Sequence, residues 1–282
     1  MTAARSPLRV AGVLWRSTHP GPSVVVTAIA VVLGVAAGLD VWRIVVLGAA
    51  ILLGQLSVGL SNDAFDAARD RANARADKPL ARGDVAVRTA WIAAGATVAA
   101  ALALSAVLGT GMLVAHLIAL ASAWAYNARL KATPFSVVPF IVSFGLLPSL
   151  VTLSAADPRM APAWAWVAGG AIGVAIHLTN VLPDLEDDAR TGIRGLPHRL
   201  GRTVSAVIAA LALVAGAVAV LAGPTSPSVI GWIVFALAAA LAVAGLVLAL
   251  VRPPGRAVFR LVMLAALLLC VQLAVTGQSL VS

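Results

Sequence analysis

Residues 43–70 read RIVVLGAAILLGQLSVGLSNDAFDAARD, an apolar run that passes directly into a row of aspartates. A helix needs about 20 apolar residues to cross a bilayer, and after its first residue this run is uncharged until Asp63. If the helix continues, Asp63, Asp66 and Asp70 lie on one face, because their spacings are three and four residues. The stretch therefore predicts a membrane-spanning helix that carries carboxylates at its C-terminal end.

The whole chain has the composition of a membrane protein. Of its 282 residues, 61% are hydrophobic and only 11% are charged, whereas soluble domains carry about 25% charged residues. Apolar runs recur almost from end to end, so the predicted fold class is all-α, a polytopic membrane protein with a single domain, 1–282. The formal net charge of +9 is accounted for by basic loops beside a membrane, and nucleic-acid binding is not expected.

Charged residues and Gly/Pro-rich points divide the chain into nine predicted transmembrane helices, which we expect to form one bundle around a central cavity. Residues 1–20 precede them as a cytoplasmic or interfacial segment. Two related halves, about 20–129 and 134–250, precede the ninth helix. The predicted spans are 22–39, 43–62, 88–108, 111–129, 134–154, 163–183, 203–222, 228–250 and 257–278.

Basic residues fall almost entirely on one side of this division. Of the 20 Lys and Arg residues, only Arg43 and Arg159 lie in connections on the opposite side. Basic loops stay in the cytoplasm, so the N-terminus is predicted to be cytoplasmic and the C-terminus to lie outside the plasma membrane. The Ala- and Arg-rich composition suggests a bacterial source.

Acidic residues are distributed still more unevenly. Of the 11 Asp and Glu residues, only Asp40 and Asp157 lie outside two clusters, which follow the second and sixth predicted spans. A charged side chain beside a membrane helix is costly and marks a functional site by default. Each cluster alone is consistent with a solvated, salt-bridged loop, but their matched positions favour a shared site on the cytoplasmic side.

The second cluster repeats the spacing of the first. Asn180, Asp184 and Asp188 form an Asn-x3-Asp-x3-Asp row, the same row that Asn62 begins in the first cluster. Pro183 either interrupts the sixth helix or begins a new helical segment. The second arrangement would place the aspartates in the first turn of that segment.

Facing acidic rows of this kind suit Mg²⁺. This ion takes oxygen ligands, typically one or two carboxylates, and completes its shell with water and substrate phosphates. Basic neighbours of the rows would neutralise the remaining phosphate charge. These neighbours are Arg75, Lys78, Arg82, Arg190 and Arg194.

Four motifs resemble those of the UbiA prenyltransferase superfamily. NDAFDAARD at 62–70 matches its N-D-x-x-D-x-x-x-D signature, and DLEDD at 184–188 looks like its second signature, D-x-x-x-D. DKPLARG at 77–83 resembles the loop after the first motif, and YNARLK at 126–131 resembles its Y-x-x-x-x-K element. Pro183, immediately before the second motif, departs from the pattern.

The resemblance implies an enzyme that transfers a prenyl group from a polyprenyl diphosphate to a small acceptor, aromatic as in quinone biosynthesis, with two Mg²⁺ ions. The implied metal ligands are Asp63, Asp66, Asp70, Asp184, Asp187 and Asp188. All of these except Asp187 are also expected to be catalytic, together with Lys131 and Tyr126. Lys131 would reach the diphosphate. Tyr126 would face the allylic cation, although a tyrosine at the membrane interface is equally consistent.

Further residues are expected to contact the substrates. Gln55 and His177 lie below the two acidic rows at helical spacing, where an acceptor contact and a helix-packing role both fit. The prenyl tail would lie between helices, open to lipid. The residues expected to bind substrate are Gln55, Asn62, Arg75, Lys78, Arg82, Arg129, His177, Asn180, Arg190 and Arg194.

Two other functions stay open from the sequence. A transporter would use the acidic clusters as an ion-entry site, although transport sites usually lie near the midplane. A terpene cyclase of the same superfamily would ionise the same diphosphate without an acceptor. The acceptor itself stays open among hydroxybenzoate, dihydroxynaphthoate, homogentisate and phosphorylated sugars or glycerols, as does the length of the prenyl chain.

Overall fold

A computed structural model describes residues 6–190, 192–223, 227–253, 255–276 and 280. Within these ranges every regular element is a helix, so the predicted all-α class is confirmed. Arg5 and the last two positions of the predicted span 257–278 lie outside the described residues. The α-helices are α1 Pro7–Arg16, α2 Pro20–Ala36, α3 Val41–Ala72, α4 Val87–Leu108, α5 Thr110–Ala128, α6 Val138–Thr152, α7 Ala163–Val181, α8 Leu185–Arg190, α9 Leu196–Ala222, α10 Val229–Val251 and α11 Arg256–Thr276.

The helices agree with a multi-pass membrane protein, but not all nine predicted spans have the length to cross a bilayer. In the described ranges, seven helices are long and apolar enough: α3, α4, α5, α9, α10, α11, and α7 continued through α8. The pair α1 and α2, bent by 76° at its junction, makes an eighth candidate if it is one span. α6 has only 15 residues and contains Pro148, which gives it a length of about 22 Å against a hydrocarbon layer of about 30 Å. A count of nine spans therefore stays a prediction.

The helix α3 carries the opening stretch of sequence without a break, and its 32 residues make it the longest in the described ranges. Its apolar part packs against α2 and α4, and its last turns bury Asp63, Asp66 and Asp70. The helix therefore extends beyond the predicted span 43–62 and passes through the aspartates, which meets the condition for their shared face. Because the helix ends beyond them, these carboxylates keep a fixed helical spacing.

The second acidic cluster follows a break between helices. α7 ends at Val181, a 3₁₀ turn covers Leu182–Asp184, and α8 follows directly. Pro183 lies in the turn, where its missing N–H interrupts the α-helical hydrogen bonds. Of the two arrangements left open by the sequence, the structure has the new helical segment, with Asp184 in the turn and Asp188 in the first turn of α8.

The connections that carry the clusters gather at one end of the bundle. The Leu196 N–H donates to Ser136 Oγ at 2.9 Å, which joins the start of α9 to the connection before α6. At the opposite end, Arg43 Nη1 donates to the carbonyl of Ser154 at 2.9 Å. This arrangement matches the expected segregation of the basic loops. The membrane face on which they lie, the plasma membrane as location and the orientation of the termini stay predictions.

Candidate active site

The two acidic clusters line one cavity of about 540 Å³. Asp66 and Asp70 line it from α3, and Asp184 and Asp188 line it from the α7–α8 junction. Arg69 connects the two sides, because its Nη2 lies 3.0 Å from Asp66 Oδ2 and 3.9 Å from Asp188 Oδ1. Carboxylates from distant parts of the chain thus face the same space. The predicted site residues that line this cavity are Gln55, Asn62, Asp66, Asp70, Arg75, Lys78, Tyr126, Lys131, His177, Asn180, Asp184 and Asp188.

Asp63 lies outside the cavity lining and is only 2% exposed. Its Oδ1 accepts a hydrogen bond from Lys78 Nζ at 2.7 Å and lies 3.0 Å from His19 Nε2. Lys78 and His19 both line the cavity. Asp63 therefore positions two basic side chains at the cavity wall, and its expected role as a metal ligand stays a prediction.

Asp66 forms an ion pair that joins α3 to the connection between α5 and α6. Its Oδ1 contacts Nζ of Lys131, which lies in the 3₁₀ turn Leu130–Ala132. Burial lowers the pKa of Lys131 below its ordinary value of 10.5, and the Asp66 carboxylate opposes this shift. The result is a largely desolvated ammonium group at the acidic end of the cavity.

Arg75 is held against the second cluster by a contact within its own loop. Its guanidinium donates two hydrogen bonds to Asp77, both 2.9 Å long, and its Nη1 lies 3.8 Å from Asp184 Oδ1. The hydrogen bonds from Arg75 lower the pKa of Asp77 to about 2, and the same contact raises the pKa of Arg75. Arg75 is therefore a fixed cation at the cavity.

Five further predicted site residues lie away from the cavity lining. Arg82 donates to Asp84 at 2.9 Å, and Asp187 lies 3.5 Å from Arg190 in an exposed pair. The expected contacts of these side chains with metal or substrate gain no support from the structure. The five are Arg82, Arg129, Asp187, Arg190 and Arg194.

Next to its charged end, the cavity has an aromatic wall. The Tyr126 ring packs edge-on against Phe140, with centroids 5.1 Å apart, and against His177 at 5.7 Å. His177 is fully buried, and its Nε2 lies 3.0 Å from Ser136 Oγ. Its Nδ1 has no hydrogen-bond partner among the described residues. Gln55 also lines the cavity, so the two residues considered as acceptor contacts, Gln55 and His177, share one space with Tyr126.

The structure adds cavity residues that the sequence patterns did not single out. Arg69 lies within the first motif, three residues after Asp66, so its position offered a usable signal. Arg16 at the end of α1, His19 between α1 and α2, and His198 in the first turn of α9 also line the cavity. Nothing in their local sequence marks them, because helix packing alone brings them to the site.

Residues 23–268 match the model of the UbiA prenyltransferase family, which accounts for most of the chain. The chain belongs to this family. The resemblance seen in the four motifs is therefore confirmed, and so is the class of this UbiA chain as a prenyltransferase. Membership of the UbiA family leaves the transporter interpretation without support.

One curated relative of this UbiA chain is the digeranylgeranylglyceryl phosphate synthase of Methanopyrus kandleri, with 30% identity over 182 residues. The match covers 64% of this chain and 66% of that protein, slightly less than two thirds of its length. The relative is archaeal, so the expected bacterial source gains no support from it.

Solved structures of UbiA homologues share the fold. The apo UbiA homologue from Aeropyrum pernix K1 has a TM-score of 0.76 at 18% identity, over 91% of this chain and 98% of its own. A UbiA homologue from Archaeoglobus fulgidus, bound to GPP and Mg²⁺, has a TM-score of 0.67 at 17% identity, over 94% and 99% of the two chains. At such low identity these similarities establish the fold alone.

The carboxylates of this UbiA site fit a hard, oxygen-preferring cation without forming a closed cage. In the part of the chain that the structure describes, no three His, Cys, Asp or Glu side chains are grouped closely enough to hold a metal ion. Mg²⁺ usually takes one or two carboxylates and fills its other positions with water and substrate phosphates. The divided set of carboxylates therefore suits an ion that binds together with a diphosphate.

Proposed function

We propose that this chain transfers a prenyl group from a polyprenyl diphosphate to a small acceptor in a Mg²⁺-dependent reaction. The observation that carries the proposal is one cavity with carboxylates from α3 and from the α7–α8 junction at one end and an aromatic wall below them. The A. fulgidus homologue, which has a similar fold and binds GPP and Mg²⁺, supports the same ligands for this chain.

Four carboxylates would hold the metal, with Asp66 and Asp70 on one side and Asp184 and Asp188 on the other. Two ions, one for each side, follow from this division and from the family resemblance. When bound, Mg²⁺ draws charge from the diphosphate oxygens and makes the diphosphate a better leaving group. Arg69, which contacts both sides, reduces the repulsion between the carboxylates.

The cations of the site would hold the diphosphate in place. Lys131, Arg75 and Lys78 line the cavity, and each contacts an aspartate. As the bond between prenyl C1 and the diphosphate oxygen breaks, that oxygen keeps the electron pair. Positive groups already in position stabilise the developing charge without reorganisation during the reaction.

The aromatic wall would face the allylic cation and the acceptor. Ring faces attract a nearby cation, and the Tyr126 and Phe140 rings lie below the charged residues. The nucleophilic atom of the acceptor then bonds to prenyl C1 and releases its proton to solvent. His177 Nδ1, for which the described residues provide no partner, and the Gln55 amide are the groups that would orient the acceptor.

The class of acceptor is suggested by the M. kandleri relative. The name of that protein states a glyceryl phosphate product, and a glyceryl phosphate lipid is the acceptor proposed for this chain. Arg16 and Arg256 also line the cavity and would balance the acceptor phosphate. The aromatic acceptor expected from the sequence gains no support from the comparisons.

Products formed by the purified protein test this proposal. The protein would receive geranylgeranyl diphosphate and Mg²⁺ with geranylgeranylglyceryl phosphate or with hydroxybenzoate, dihydroxynaphthoate or homogentisate, and products would be identified by mass spectrometry. We expect a prenylated glyceryl phosphate that disappears when EDTA removes Mg²⁺. A prenylated aromatic product would overturn the proposed acceptor, and a cyclic hydrocarbon formed without acceptor would indicate a terpene cyclase. No Mg²⁺-dependent release of diphosphate under any condition would overturn the enzymatic proposal.

Substitutions at the carboxylates test the metal assignment. Asp66→Asn and Asp184→Asn should each reduce turnover by about 100-fold or more, because a fixed charge that acts in the transition state is lost. Asp187→Asn is the matched control, since Asp187 is exposed and pairs with Arg190, and it should change turnover by about twofold at most. Equal turnover in all three variants would contradict the assignment.

A further inference from the structure

A second pocket adjoins the apolar part of the cavity. Its volume is about 50 Å³, and side chains from α2, α6, α7, α9 and α11 line it. Phe144 and Leu147 of α6 line both the cavity and this pocket. These two side chains therefore form the wall at which the two spaces meet.

This wall ends a row of side chains that begins near the charged residues. Phe140 packs against Tyr126, and Phe140 and Phe144 stack with centroids 6.3 Å apart and planes only 8° from parallel. Phe140, Phe144 and Leu147 are spaced by four and three residues, which keeps them on one face of α6. At a rise of 1.5 Å per residue, the row covers about 10 Å of the helix. A hydrocarbon chain whose diphosphate lies at the carboxylates would follow this row toward the wall.

The second pocket has the chemistry of a hydrocarbon site. No charged side chain of the described residues lines it, and its lining includes Ile29, Ile172, Leu269 and Cys270. Cavities with such linings stay dry and accept apolar molecules. Because this pocket is small and adjoins the cavity, it would suit the end of a chain that begins in the cavity.

We infer that Phe144 and Leu147 set the length of the prenyl chain that the site accepts, and that the second pocket receives the terminal isoprene unit of the longest donors. The inference rests on the proposed function, because it requires the diphosphate to lie at the carboxylates. A smaller side chain at the wall would widen the junction between the two spaces, whereas a larger side chain in the second pocket would remove the room for the last unit.

Two opposite substitutions test this assignment. Phe144→Ala should raise turnover with geranylfarnesyl diphosphate relative to geranyl diphosphate by about tenfold or more, since one misplaced methylene in an apolar pocket changes selectivity by about 10- to 200-fold. Ala168→Leu should lower the same ratio, because Ala168 lines the second pocket and not the cavity. Phe135→Ala is the matched control, since Phe135 is 64% exposed and lines neither space. The same ratio in all four proteins would overturn the inference.

The cysteine in the second pocket provides a test that needs no change to the wall. Cys270 is the one cysteine of the chain, so a small thiol reagent labels a single position, and Cys270→Ser supplies the blank. With Mg²⁺ and unreactive diphosphate analogues, we expect geranyl chains to leave the labelling rate unchanged and geranylfarnesyl chains to reduce it. Equal labelling with both analogues, while thermal stabilisation shows that both are bound, would contradict the inference.

The outcomes separate this inference from the proposed function. If the unmodified protein transfers no prenyl group and releases no diphosphate, the proposed function itself fails. If it transfers prenyl groups but neither the wall variants nor the labelling depends on chain length, only the assignment of the second pocket fails, and that pocket is a packing void.

Discussion

Gly59→Ala is expected to disturb the site from outside it. Gly59 lies in α3, where the backbone of Thr18, between α1 and α2, passes directly over it. A Cβ added at Gly59 would lie 2.6 Å from the carbonyl carbon of Thr18 and 2.7 Å from its Cα, and closer still to its carbonyl oxygen. Real Cβ atoms do not come within 3.0 Å of such neighbours, and backbone atoms cannot rotate away as a flexible side chain can. The segment that joins α1 to α2 must therefore move.

The size of the effect follows from these contacts. Ordinary contact begins at 3.4 Å, so the carbonyl carbon of Thr18 would have to move by about 0.8 Å. Overpacking of this kind typically costs about 1–3 kcal/mol. The next residue, His19, has a positive φ of 53°, and its Nε2 lies 3.0 Å from Asp63 Oδ1. If His19 moves with Thr18 by about 0.8 Å, this distance exceeds the usual ~3.2 Å limit of a hydrogen bond.

Unfolding of the detergent-solubilised protein, together with its affinity for Mg²⁺ and a prenyl diphosphate analogue, measures the effect. Gly59→Ala should lower the unfolding free energy by about 1–3 kcal/mol. It should also weaken binding of the prenyl diphosphate analogue. The control is Gly95→Ala in α4, where an added Cβ meets nothing within 4 Å. This control should be neutral or more stable by about 0.5–1 kcal/mol, because alanine favours a helix interior over glycine. Equal stability and equal affinity in the two variants would refute the reasoning.

The remaining predictions concern the basic residues. Arg75→Gln should weaken binding of the diphosphate analogue by about tenfold, the value of one charge-assisted hydrogen bond. Arg82→Gln should change this binding by less than about twofold, because Arg82 pairs with Asp84 in an exposed loop. Titration calorimetry measures both, and a larger loss of affinity in Arg82→Gln would contradict the placement of Arg75 at the cavity. Burial lowers the pKa of Lys131 below the ordinary lysine value of 10.5. Activity that needs the charged form of Lys131 should therefore be lost on raising the pH, before the pH reaches 10.5. Lys131→Arg should move this alkaline limb of the pH–rate profile to higher pH, since arginine stays protonated there; an unchanged limb would exclude Lys131 as its source.

Several features of the fold could be predicted from local sequence. The uncharged run before Asp63 predicts a membrane-length helix, and α3 is such a helix, which also continues through its aspartates. Pro183 predicts an interruption near the second cluster, and a 3₁₀ turn lies there. The predicted span 134–154 was too long because its first four residues precede α6, which begins at Val138. An apolar composition does not reveal where the helical hydrogen bonds begin.

The candidate site was predictable only where its residues belong to a helical row. Asp66 and Asp184 could be placed in one site from their matched motifs, and both line the cavity. Loop residues such as Arg82 and Arg194 were assigned to substrate by their positive charge, yet neither lines the cavity. His19 carried no signal, because it contacts Asp63 from 44 residues away in the chain.

The sequence by itself determined that this protein is helical and membrane-embedded with two acidic rows, because apolar length and helical spacing depend on neighbours within a few turns. Its four motifs added the resemblance to UbiA prenyltransferases, which the family match confirmed. Only the tertiary structure decided which cations face those rows, which aromatic side chains line the apolar part of the cavity, and where a second pocket adjoins it. Those contacts depend on how the helices pack, and the close approach of Thr18 to Gly59 shows that such packing is set by pairs of residues far apart in the chain.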